Sequence, residues 1–237
     1  MRPLDVFADE SRHRCCAISL RQDGRDGQGV GTGTALEHNG ELFVVTCAHV
    51  ARPRGRGVEM GSVVFDGAAP IGSEWLEVVF IDEDEDSDLA LLRVARSVRH
   101  RLQHVRPIEV SRLATAEQFA AAQPGDGHGY AFIGSPWDLR AQDGGRTQFR
   151  CLAYRARVKS NDGSRRLTLS YEAGPKEDPL PEPAGISGST LFMCDALAGN
   201  GLWTPGPAIA VLHGWRREEK YLVCSPIAPI REFLLRG

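Results

Sequence analysis

The chain has 237 residues, 42% hydrophobic and 25% charged, with a formal net charge of -3 and a pI near 6.2. That is enough apolar material for one large globular domain or two small fused ones. The near-neutral balance, with only short Gly-broken arginine patches such as Arg52–Gly57, gives no electrostatic reason to expect a nucleic acid or an anionic membrane as partner.

From Met1 to Leu20 the sequence lacks the basic segment, apolar run and cleavage site of a secretory signal. No stretch reaches the apolar length that spans a bilayer, so a cytoplasmic location is expected. Short β-rich runs then succeed one another: Cys15–Leu20, Gly31–His38, Glu41–Val50, Trp75–Asp82, Leu89–Ala95, Cys151–Ser160, Arg166–Ala173, Thr190–Cys194, Ala208–Trp215 and Lys220–Ile227. This spacing predicts an all-β sandwich or barrel. Asn39-Gly40, flanked by apolar alternation, signals a tight hairpin, and Asn161–Ser164 repeats the signal. Helical periodicity is confined to about Thr115–Ala122 and to the C-terminus, where Ile227, Ile230, Phe233 and Leu234 share a face. The Pro-rich run Gly174–Pro183 reads as a loop.

Two groups of strands separated by a polar stretch suggest two barrels: about 14–100, a linker at about 101–124, and a second barrel with its terminal helix at about 125–237. The six cysteines, at 15, 16, 47, 151, 194 and 224, form no C-x-x-C pair. They read as reduced, buried small hydrophobes rather than as a zinc site. The acidic run Asp82–Asp88 lacks the glycine and distant glutamate of a calcium loop and reads as a solvated turn, so no metal and no cofactor is expected.

Three stretches carry chemistry. Ser187 sits between Gly185 and Gly188 just before an apolar strand. A serine hydroxyl needs a base to take its proton, and the developing oxyanion needs fixed donors, which glycine-permitted turns of the backbone can aim. His49 ends a continuous apolar strand, and Asp88 immediately precedes another. Each alone has an ordinary explanation: a loop, a rim histidine, a strand-opening turn. Together and in this order they resemble the trypsin-like (chymotrypsin-fold) serine peptidases of the bacterial stand-alone type, whose chain order is His, Asp, Ser. Gly31–Val50 is similar to the strand and hairpin before that family's histidine, Gly129–Pro136 to an early strand of its second barrel, and Ala208–Trp215 to the strand after its nucleophile.

The resemblance implies two six-stranded antiparallel β-barrels with a C-terminal helix. In such a fold Ser187 would be the nucleophile, His49 the general base and acid, Asp88 the group that orients His49, and the Gly185 and Ser187 amides the oxyanion hole. Leu212, His213 and Gly214 would line the substrate pocket. Ile186 stands where the digestive branch has an acidic residue, so the oxyanion loop must be ordered by packing of Ile186 or by a ligand or partner. An α/β-hydrolase elbow is disfavoured, because its fifth position is Ser189 rather than glycine and the strands are too many. The expected activity is a serine endopeptidase with a narrow set of protein substrates, in the limit one dedicated partner protein. The alternatives are a catalytically silent scaffold of the same fold, or a protease that needs a partner or effector to order its oxyanion loop.

Overall fold

A computed structural model of the chain describes residues 3–23, 25–84, 87–136, 141–143, 146–148, 151–171, 183–196 and 202–237. Of the expected Pro-rich loop, all but Pro183 lies outside these residues. In chain order the strands are β1 (Cys15–Gln22), β2 (Arg25–His38), β3 (Glu41–Thr46), β4 (Val58–Phe65), β5 (Ile71–Gly72), β6 (Leu76–Asp82), β7 (Leu89–Val94) and β8 (Ile108–Glu109). There follow β9 (Gly129–Gly134), β10 (Ala141–Asp143), β11 (Arg146–Gln148), β12 (Leu152–Asn161), β13 (Leu167–Ser170), β14 (Thr190–Ala196), β15 (Trp203–Arg216) and β16 (Tyr221–Pro226). The α-helices are α1 (Pro3–Arg12), α2 (Ala48–Ala51), α3 (Ala116–Ala121) and α4 (Ala228–Arg236).

Six strands close into a barrel in the order β12-β13-β16-β15-β14-β9. The earlier strands form a curled sheet in the order β5-β4-β1-β2-β3-β7-β6, with β8 paired parallel to β2. The architecture is the expected chymotrypsin-like all-β one, except that the first half is a curled sheet rather than a closed six-stranded barrel. Its end strand β5 is only two residues long before a 3-10 turn at Ser73–Trp75, too short to pair along a second edge.

Local sequence explains the elements that carry the site. Asn39 and Gly40 both take positive φ, 48° and 70°, as the two-residue turn between β2 and β3 requires. The runs Leu42–Thr46 and Leu89–Leu92 are buried on both faces, which is why they read as continuous rather than alternating apolar strands. Thr115 caps α3 through a reciprocal box with Gln118.

Besides the short strands β5, β8, β10 and β11, and α2 in place of the end of the expected strand Glu41–Val50, two longer elements have no counterpart among those expected. In β4, Glu59, Gly61 and Ser62 interrupt the apolar pattern. In α1, Pro3 opens the helix, Asp5 lies in its first turn, and Arg12 in its last turn pairs with Asp9 at 2.8 Å. α1 buries Phe7 edge-on against Phe192 of β14, ring centroids 5.6 Å apart, and packs on β12 and β15. The other terminus crosses the opposite way: Phe233 of α4 lies 5.4 Å from Phe80 of β6. Each half of the chain therefore seats a terminal helix on the other half. All six cysteines are free thiols. No helix among the described residues is long and apolar enough to cross a membrane.

Candidate active site

At the end of β3 the chain turns through Cys47 into the single turn of α2 and lifts His49 toward the surface, its side chain 42% exposed. Asp88 arrives from the turn before β7 with φ at 39°, a left-handed conformation that a short polar residue tolerates. Its carboxylate takes two hydrogen bonds from one residue: His49 N donates to Oδ1 at 3.0 Å, and His49 Nδ1 lies 2.5 Å from Oδ2. Burial by itself pushes the Asp88 carboxyl up, but the hydrogen bond and charge of His49 outweigh it and hold the group below the ordinary carboxylate range. An ionised carboxylate only accepts, so Nδ1 carries the proton and Nε2 presents a lone pair.

Ser187 lies in a turn after Pro183, held by Ile186 N donating to Pro183 O at 3.2 Å and Ser189 N donating to Ile186 O at 2.9 Å. Gly185 and Gly188 both adopt φ of 92°. A Cβ on Gly188 would collide with Thr32 O and Thr46 Oγ1, so glycine there is a packing requirement as well as a conformational one. Ile186 is buried in the core of the closed barrel. Among the described residues the Gly185 and Ser187 amides donate to no acceptor.

Thr32 joins this loop to the first sheet, and sequence reasoning did not single it out. Its N–H donates to Ser187 O at 2.7 Å, and its hydroxyl donates to Gly185 O at 2.9 Å and accepts from Ser135 N at 3.0 Å. Its carbonyl accepts from Thr46 Oγ1 at 2.7 Å. The signal available was a Thr in a Gly-rich strand, Gly31–Thr34, where small neighbours let another backbone come close. A second tie is Leu212 O, which accepts from Gly188 N at 2.7 Å and from Cys47 Sγ at 2.8 Å. The residue after Ser187 and the residue two before His49 thus share one acceptor. Within that frame no hydrogen bond joins Ser187 Oγ to His49 among the described residues.

The three residues read as pocket lining fall differently. Leu212 is buried, its carbonyl occupied as described. Gly214 sits in β15 beside a register shift. The His213 side chain is only 10% exposed and places Nδ1 3.8 Å from Asp88 Oδ2, so Asp88 lies between two imidazoles.

Cys47, His49 and Asp88 bring their ligand atoms within 4.8 Å of one another. The 2.5 Å separation of His49 Nδ1 and Asp88 Oδ2 is well short of the about 3.3 Å that two such atoms keep on a tetrahedral zinc. The Cys47 thiol, pushed well up by burial and by the Asp88 charge, is committed to Leu212 O. His49 and Asp88 are joined by hydrogen bonds while Cys47 bonds elsewhere, a geometry unlike a tetrahedral coordination sphere.

Residues 31–192 match the profile of the trypsin-like peptidase domain. The chain belongs to the trypsin-like peptidase family. This peptidase has the chymotrypsin-like fold of serine proteases in the solved structures it resembles. The serine protease domain of Sesbania mosaic virus polyprotein is 14% identical, with TM-score 0.57, covering 95% of this chain and 94% of that one. The serine endoprotease from Yersinia pestis is 14% identical, with TM-score 0.60, covering 100% and 68%. The active form of the Rv3671c protease from M. tuberculosis is 18% identical, with TM-score 0.53, covering 99% and 86%. Those likenesses speak for the fold. No curated protein matches the peptidase in sequence.

Proposed function

We propose that the protein is a serine endopeptidase in which Ser187 attacks the scissile carbonyl, His49 takes and later returns the proton, and Asp88 orients His49. The observation that carries this reading is the double hydrogen bond from His49 to Asp88, because it fixes the imidazole tautomer with Nε2 free to act as base. As Ser187 Oγ adds to the carbonyl, its proton passes to Nε2, and the imidazolium is stabilised by the Asp88 carboxylate. The unengaged Gly185 and Ser187 amides are the donors available to the oxyanion. Collapse of the tetrahedral intermediate releases the amine with the proton from His49, and water repeats the sequence on the acyl-enzyme.

In this reading His213, with Nδ1 3.8 Å from Asp88 Oδ2, belongs to the support of the carboxylate, and β15 at Gly214, beyond its pairing with β14, takes the substrate strand. The substrates in this reading are a narrow range of proteins, in the limit one dedicated partner. The missing hydrogen bond between Ser187 and His49 favours a second reading, in which a substrate or partner first draws the two together.

A fluorophosphonate probe tests both. Covalent labelling at Ser187, abolished in Ser187→Ala and His49→Ala, supports the triad. Labelling that appears only in the presence of a peptide or protein ligand selects the second reading. Absence of labelling in every condition marks a silent scaffold.

A further inference from the structure

We propose that Cys15 and Cys151 form an oxidisable thiol pair, which a peroxide or disulfide oxidant closes into a covalent link between the two halves of the fold. Cys15 opens β1 in the first sheet, immediately after α1, and Cys151 immediately precedes β12 of the closed barrel. α1 packs against β12, so the two thiols meet at the seam between the halves. The Cys151 thiol donates to Cys15 Sγ at 3.1 Å. A disulfide needs the sulfurs only about 1 Å closer.

Their neighbours do not compete for this contact. Cys16 follows Cys15 on the strand and so points to the opposite face of the sheet, where a Cβ on Gly33 would sit 2.9 Å from its sulfur. Cys47 is engaged by Leu212 O and Cys194 by Phe192 O at 3.7 Å.

The two partners also differ in access. Cys15 is fully buried, while Cys151 is half-buried and reaches the surface. Its hydrogen bond with Cys151, which holds the pair in the neutral form, and its burial push the Cys15 thiol well up, so Cys15 supplies little thiolate to an oxidant. Cys151 therefore reacts first: its thiol and one peroxide give a sulfenic acid and water. Cys15 then attacks that sulfur, the S–S bond forms, and a second water leaves with the Cys15 proton. Two thiols are oxidised by two electrons and one peroxide is reduced to two waters. Contact already made offsets the low thiolate fraction of the resolving partner.

The test treats the purified protein with hydrogen peroxide and, separately, with oxidised glutathione, then measures intact mass and non-reduced tryptic peptides. The expected result is a loss of about 2 Da, the two thiol hydrogens. It comes with a cross-linked peptide joining Cys15–Arg21 to Cys151–Arg155, still formed in Cys16→Ala and absent from Cys151→Ser. Because the link closes a long loop, the melting temperature should rise by about 5–15 °C and return with dithiothreitol. Four results would each overturn the proposal: six thiols still titratable, a stable glutathione adduct on Cys151, sulfinic acid at Cys151 with Cys15 reduced, or a link from Cys151 to Cys16. Peptide mapping of the unsubstituted chain keeps the test decisive even if a variant folds poorly.

Discussion

Thr32→Val preserves side-chain shape and deletes one hydroxyl, the one that clamps the Ser187 loop, the proposed nucleophile loop, to the first sheet. That hydroxyl donates to Gly185 O at 2.9 Å and accepts from Ser135 N at 3.0 Å, within a residue that has no exposed surface. Ser135 is equally buried, so its amide loses its partner outright, at about 1–3 kcal/mol. Gly185 is half-buried and can recover part of its loss from water, which puts the total at about 2–4 kcal/mol. The backbone bond from Thr32 N to Ser187 O survives the substitution, so it is the Gly185 peptide that is released. Since losing one oxyanion donor costs about 100-fold or more, even partial disorder there should slow fluorophosphonate labelling by about ten-fold. Urea melts and labelling rates are measured side by side, with Thr32→Ser as the control that retains the hydroxyl and gives up one methyl, about 1 kcal/mol. A Thr32→Val protein that melts within about 0.5 kcal/mol of the parent and labels at the parent rate would refute the clamp.

Asp88→Asn should leave the fold intact and lower peptide hydrolysis by on the order of 10⁴, because an amide no longer enforces the Nδ1–H tautomer; steady-state kinetics on a cleavable peptide checks it. Burial raises the Asp88 carboxyl but His49 lowers it further, so its folded value lies below its unfolded one. Its contribution to stability is then present at neutral pH and lost as pH falls below about 4 toward the folded value. Melting curves should accordingly drop more steeply there for the parent than for Asp88→Asn, and parallel curves would contradict the sign. Gly188→Ala forces a Cβ against Thr32 O at φ of 92° and should cost about 3 kcal/mol or more, or fail to fold. Gly40→Ala, at φ of 70° with open space around it, should cost only about 1 kcal/mol, and equal losses in the two would show that crowding is not the reason.

The site's charged residues were legible because each sits where a strand's apolar pattern stops: His49 after Glu41–Thr46 and Asp88 before Leu89–Val94. Ser187 was legible from its flanking glycines, both of which take the left-handed region. Contacts made across long sequence separations were not. Nothing local in Thr32 reports that its partners are Gly185, Ser187 and Ser135, and nothing in His213 reports that its ring faces Asp88 from the opposite half. β4 escaped because Glu59, Gly61 and Ser62 blur the alternation. α1 escaped because its buried face is carried largely by Phe7, and that residue's partner is supplied by β14. Closure of the first sheet was equally beyond local pattern, since it depends on the length of β5.

The crossed seating of the termini bears on how the molecule is born. The ten residues of α1 are made long before Phe192, the ring that Phe7 meets, and Phe80 is made long before Phe233. Neither half can complete its packing until the other has been made, so a nascent chain stopped midway would show a bare aromatic surface to chaperones and to its own copies. Acquisition of structure should then be a single event that waits for both halves, and cutting the gene between the curled sheet and the closed barrel should give two insoluble pieces rather than two independent modules.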